Sequence, residues 1–81
     1  MVQMAKKLNL QELAILKISI GDDKITAELS DGRIVSIPIA WFPRLIQATS
    51  QQLQNFEISP SGHGIHWPDI DEDISIKSFV S

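Results

Sequence analysis

A chain of 81 residues with no cysteine and a formal net charge of −3 describes one small acidic domain without disulfides or thiolate metal sites to brace it. Its seven Lys and Arg residues are scattered, with only Lys6 and Lys7 adjacent, which argues against direct nucleic-acid binding through a basic face. Hydrophobic residues make up 43% of the chain, enough for a true core, yet no apolar run reaches membrane-spanning or secretory-signal length, so a cytoplasmic location is expected.

Residues 1–13 mix Lys, Gln, Asn and Glu with isolated Leu and Met at no sustained period. They predict a loosely ordered lead-in to a single domain over residues 14–81. From Leu16 the pattern becomes alternation, with Leu16, Ile18 and Ile20 set against Lys17 and Ser19, the signature of a half-buried strand. A turn at Gly21 to Lys24 leads into a second alternating run in which Ile25, Ala27 and Leu29 share a face. Parity then predicts the pairs Ile20 with Ile25, Ile18 with Ala27 and Leu16 with Leu29.

At Ser30-Asp31-Gly32 a two-residue Asp-Gly loop would turn Val35 and Ile37 to the wrong face. A three-residue loop with Gly32 in the left-handed conformation and a bulge pairs Ala27 with Val35 and Ile25 with Ile37, and is the predicted geometry. Gly32 is then required by the backbone, because positive φ is cheap only for glycine.

Pro38 closes the third strand, and Pro43 suits the first turn of a helix. Phe42, Leu45, Ile46, Leu53 and Phe56 follow at about helical spacing, with Arg44, Gln47, Gln51, Gln54 and Asn55 on the outer side. Thr49 followed by Gln52 reads as a capping box, which divides the segment into a helix ending near Ala48 and another running from about Ser50 to Phe56. The run Glu57-Ile58-Ser59 is too short to assign. Gly64 to Trp67 predicts a returning strand stopped by Pro68, and Ile74-Ser75-Ile76 a last short strand or helical turn. The fold class is α+β: a three-stranded antiparallel meander, one or two short helices, then one or two returning short strands, with helices packed on one face of the sheet.

The stretch of residues 62–76 holds both histidines, one of the two tryptophans and four of the ten acidic residues, and is the part of the chain that most resembles a site. A metal-assisted enzyme or small-ligand site would be built there from His66, Asp69 and Asp71. His63 and His66 fall on opposite faces of a regular strand, whereas Asp69, Asp71 and Asp73 alternate in an extended segment and share a side. The glycine and distant glutamate of an EF-hand loop are missing. Ser59, Ser61 and Ser75 come without a nucleophile elbow or oxyanion glycine motif, so no catalytic residue and no cofactor is assigned and the balance falls against an enzyme. A structural account assigns Trp67 to the core and sets Asp71 and Asp73 against Arg33 and Arg44 as a clamp.

Trp41 is assigned to the core as well, because the chain has few other large residues. Exposed instead beside Phe42 and Arg44, it would give that cluster the composition of a binding hot spot.

In order and spacing, Asp31-Gly32-Arg33, Ile37-Pro38, Trp41-Phe42-Pro43-Arg44-Leu45, Ala48-Thr49 and the segment from Gly64 through Trp67-Pro68-Asp69-Ile70-Asp71-Glu72-Asp73 to Ser75 resemble the small bacterial family called domain of unknown function 2442. The resemblance covers roughly residues 16–80. It implies an α+β domain that occurs alone or joined to a helix-turn-helix, and an antitoxin-like role in a toxin–antitoxin pair inferred from gene neighbourhood. This chain departs from the family pattern at Leu53, where arginine is expected, and at Ser50, where proline is common. The expected function is a cytoplasmic binding module acting through a protein partner, with Trp41, Phe42, Arg44, Asp69, Asp71 and Asp73 as the contact residues. Self-association through exposed sheet edges stays open.

Overall fold

The computed structural model describes residues 13–80; the expected lead-in, apart from Leu13, lies outside the described residues. Leu13 itself is a core residue, 3% exposed. Three strands, β1 (Ile15–Ile20), β2 (Lys24–Leu29) and β3 (Ile34–Pro38), form an antiparallel meander. A 3-10 turn (Ile39–Trp41) and two short helices, α1 (Pro43–Ile46) and α2 (Ser50–Gln54), follow. The chain then returns as β4 (Glu57–Ile58), β5 (Gly64–Trp67) and β6 (Glu72–Ser75), and ends in α3 (Lys77–Val80). The returning strands number three and build a sheet of their own, in the order β4-β5-β6.

Alternation dictates the meander. Ile20 pairs with Ile25 and Ile18 with Ala27, and Ala27 pairs with Val35 and Ile25 with Ile37. The second hairpin is the bulged one: Leu29 N–H donates to the Arg33 carbonyl at 2.9 Å, and Gly32 between them has φ of 96°. The first hairpin departs from the expected pairing at its open end. A bulge at Leu16 sets Ile15, not Leu16, opposite Leu29. The extra residue reverses the alternation, so Ile15 enters the core at 3% exposure while Leu16 turns outward at 64%.

The bulge follows from an anchor to the second sheet. Ile15 N–H donates to the Gly62 carbonyl at 2.7 Å. Ala14 N–H donates to Ser30 Oγ at 2.9 Å, and Ser30 N–H returns a bond to the Ala14 carbonyl at 2.8 Å. Gly62 has φ of +78°, and a Cβ there would stand 2.6 Å from that of Ala14. Glycine is therefore needed both for its dihedral and for the approach of β1.

One core joins the two sheets. Ile18, Ile25, Ala27, Leu29 and Ile37 from the meander pack with Ile65, Trp67 and Ile74 from the second sheet, with Leu45 and Phe79 from the helices and with Ile76 between β6 and α3. Helix α3 lies against both β3 and β6, tying the sheets together at the chain's end. Trp67 is fully buried, and its indole Nε1–H donates to the Leu53 carbonyl at 3.0 Å, the partner a buried indole requires. The predicted capping box is present: Gln52 N–H donates to Thr49 Oγ1 at 3.1 Å and Thr49 N–H to Gln52 Oε1 at 2.9 Å. Ile46, assigned to the inner helical face, is 58% exposed instead. Helix α1 is only four residues long, too short to bury both Leu45 and its neighbour.

Candidate partner-binding surface

Trp41 ends the 3-10 turn, and Phe42, in extended conformation, forms the junction with α1, where Pro43 takes the first helical position. Phe42 is half-buried against the core. The Trp41 ring meets it edge-on, with centroids 6.5 Å apart and an interplanar angle of 62°. Trp41 is 60% exposed, contrary to its assignment to the core: the 3-10 turn faces Ile39 inward, at 6% exposure, and leaves Trp41 outside.

One residue past Pro43, the Arg44 side chain crosses to the hairpin turn between β5 and β6. Its Nη1 donates to the carbonyl oxygens of Asp71 at 2.8 Å and Ile70 at 3.3 Å, while Nε stands 4.0 Å from Glu72 Oε1. The far side of that turn is held by Asn55, whose Nδ2 donates to Asp69 Oδ2 at 3.0 Å. Asp69 and Asp71 therefore lie in a turn, not in the extended segment expected for them, and Asp71 adopts φ of 52°. Arg44 is thus the residue that joins the corner to the acidic turn.

Asp73 lies apart from it, on β6, where Oδ1 meets His66 Nδ1 at 2.7 Å on the outer face of the second sheet. Arg33 is engaged within its own loop: its N–H donates to Asp31 Oδ1 at 3.1 Å and its Nε to Oδ2 at 2.7 Å. The Arg33 N–H holds the Asp31 carboxyl below its ordinary value; burial opposes it, and the guanidinium adds a further, smaller lowering. The clamp is thus made by Arg44 on main-chain carbonyls, with Asp71 taking part through its backbone.

The alternative metal set is not assembled. His66 is engaged with Asp73 and Asp69 with Asn55, and among the described residues no three His, Asp or Glu side chains converge on a common point. The serines serve the backbone. Ser59 Oγ accepts N–H bonds from His63 and Gly64 at 3.1 and 3.2 Å, and Ser75 Oγ accepts that of Lys77 at 3.1 Å. No described helix is long and apolar enough to cross a membrane.

The family described as protein of unknown function (DUF2442) matches residues 15–81. The chain belongs to that family. A crystal structure of a protein of unknown function from Rhodospirillum rubrum shares the fold, with a TM-score of 0.72, 26% identity and 83% of each chain covered. So does the solution structure of an uncharacterised protein from Chromobacterium violaceum, with a TM-score of 0.68, 25% identity, and 83% of this chain against 63% of that one. No curated protein matches.

The DUF2442 fold also exposes a feature that sequence reasoning treated only as the wet side of the helices. Thr49, Gln51, Gln52, Gln54, Asn55 and Asp69 line an open groove of about 540 Å³ between α2 and the β5–β6 turn. The signal available in the sequence was the density of primary amides between residues 47 and 55. Their convergence with Asp69 needed the tertiary fold.

Proposed function

We propose that this DUF2442 domain is a non-catalytic cytoplasmic module that binds a protein partner through the Trp41, Phe42 and Arg44 corner and the adjoining Asp69 to Asp71 turn. We take it to be the antitoxin-like, neutralising member of a small bacterial pair, as the family resemblance implies. The observation that carries the binding role is the exposure of Trp41, 60%, on a half-buried Phe42 and next to an Arg44 already held by two carbonyls. An exposed aromatic over a rigid base loses little conformational entropy when a partner covers it, which is the character of an interface anchor. The acidic turn beside it and the net charge of −3 favour a partner with a basic surface.

A pull-down of the tagged domain from native cell extract tests this, run beside Trp41→Ala and Asp69→Asn/Asp71→Asn variants shown by circular dichroism to be folded. A single stoichiometric partner, lost with Trp41→Ala and reduced with the charge-removed variant, is expected. Recovery of the same partner at wild-type yield by Trp41→Ala would remove the corner from the account.

A further inference from the structure

We infer that the amide-lined groove beside α2 receives an extended peptide segment of the partner, carrying a basic side chain that meets Asp69; this rests on the partner-binding reading above. A peptide backbone presents alternating N–H donors and C=O acceptors, and a primary amide offers one of each kind in a single plane. The groove presents Gln51 and Gln54, both exposed, together with Gln52 and Asn55.

Two of these amides are already oriented. Gln52 uses Oε1 in the capping box, which leaves its NH2 as a donor. Asn55 uses Nδ2 on Asp69, which leaves its carbonyl oxygen as an acceptor. Groups held in place before binding lose less freedom when they bind.

Shape and charge agree with this occupant. The groove, about 540 Å³, is open and polar, so it suits a solvated peptide main chain and not an enclosed apolar ligand. Gln52 also lines a second depression of about 280 Å³, together with Arg44, Gln47, Ala48 and Ile70. Arg44, which lines that second depression, is the residue that grips the Asp71 turn. Among the described residues no aromatic ring lines either part, so a sugar face meets no stacking platform from them. Hydrogen bonds from the side-chain amides to the peptide main chain supply affinity, and Asp69 supplies a preference for Lys or Arg.

The test is selection of phage-displayed random short peptides on the whole folded chain. Fluorescence polarisation of the selected peptides follows, on wild type and on Gln51→Ala, Gln54→Ala, Asp69→Asn and Trp41→Ala. The two glutamines are exposed and alanine is a good helix former, so these variants keep α2. Enrichment of Lys- or Arg-containing peptides is expected, weakened about 2- to 10-fold by each lost amide and by N-methylation of the peptide backbone. Selection of no peptide, or equal binding by wild type and a Gln51→Ala/Gln54→Ala double variant, overturns the proposal. Peptides lost only on Trp41→Ala also overturn it, while leaving the partner-binding corner standing. Oligosaccharide-array binding that the glutamine variants abolish would reassign the groove to a glycan and overturn it too.

Discussion

Arg44 grips Asp71 by its backbone, not by its charge: the guanidinium donates to the Asp71 carbonyl at 2.8 Å, while the residue that supplies that carbonyl sits at φ of 52°. The left-handed conformation lets the four-residue connection 68–71 close between Trp67 and Glu72, and it brings two successive carbonyls towards one donor. A turn geometry unfavourable to most residues is thereby tied to the helical corner that carries Trp41. The acidic side chain at position 71 is left for solvent or a partner.

It follows that position 71 responds to backbone preference and not to charge. Asp71→Gly and Asp71→Asn should stay within about 0.5 kcal/mol of wild type in urea unfolding, since both tolerate positive φ. Asp71→Val should lose about 1–2 kcal/mol, because a β-branched residue is strained there. A loss in Asp71→Asn equal to that in Asp71→Val would show that the carboxylate itself holds the turn.

At Gly62 a missing Cβ decides the fold. Gly62→Ala combines positive φ with a Cβ placed 2.6 Å from that of Ala14, and should cost about 2–4 kcal/mol. Adding Ala14→Gly should restore the part due to the clash and leave the part due to the dihedral. A strictly additive double-mutant cycle would mean that the two residues do not touch.

What the sequence made legible was local. Parity along three alternating runs specified the register of Ile18, Ala27 and Val35, and the Ser30-Asp31-Gly32 composition specified the bulged turn. The capping box, equally, needs only Thr49 and Gln52. The phase of β1 at its start was not legible, because Ile15 and Leu16 are both apolar and either fits the pattern. The choice is made by the Gly62 carbonyl and by Ser30, both distant in sequence. Opposite charge was enough to set Arg44 against Asp71, but the mode of the grip was hidden for a related reason: it uses carbonyl oxygens, which every residue carries, so nothing in side-chain composition points to them. The α+β class was foreseeable from the order of the elements. The third strand of the second sheet was not, since Glu57–Ile58 is two residues long, below the length at which alternation carries information.

The two tryptophans should separate cleanly by experiment. Trp67 is fully buried and donates to the Leu53 carbonyl, so Trp67→Phe loses packing and orphans an acceptor, at a cost of about 2–4 kcal/mol. Trp41→Ala should change stability by less than about 1 kcal/mol. Iodide quenching of the folded protein should act on the Trp41 emission and spare that of Trp67. Comparable destabilisation by the two substitutions would place Trp41 in the core after all, and with it would go the corner as an interface.

Acid should weaken the β2–β3 loop through Asp31. Its carboxyl is held below the ordinary value of 3.8, mainly by the Arg33 N–H and with help from the guanidinium, against the opposing effect of burial. A carboxylate with a depressed native value contributes stability that is fully present above its unfolded value and is lost as pH falls through the native one. Above about pH 4 wild type should therefore be more stable than Asp31→Asn, which keeps an oxygen for the Arg33 N–H and loses the charge. The gap should close progressively as pH drops below 3.8. Urea unfolding of both proteins across that range measures it directly. A gap that stays constant with pH would mean that the loop is held by the neutral hydrogen bond alone, with the ion pair of Arg33 contributing nothing.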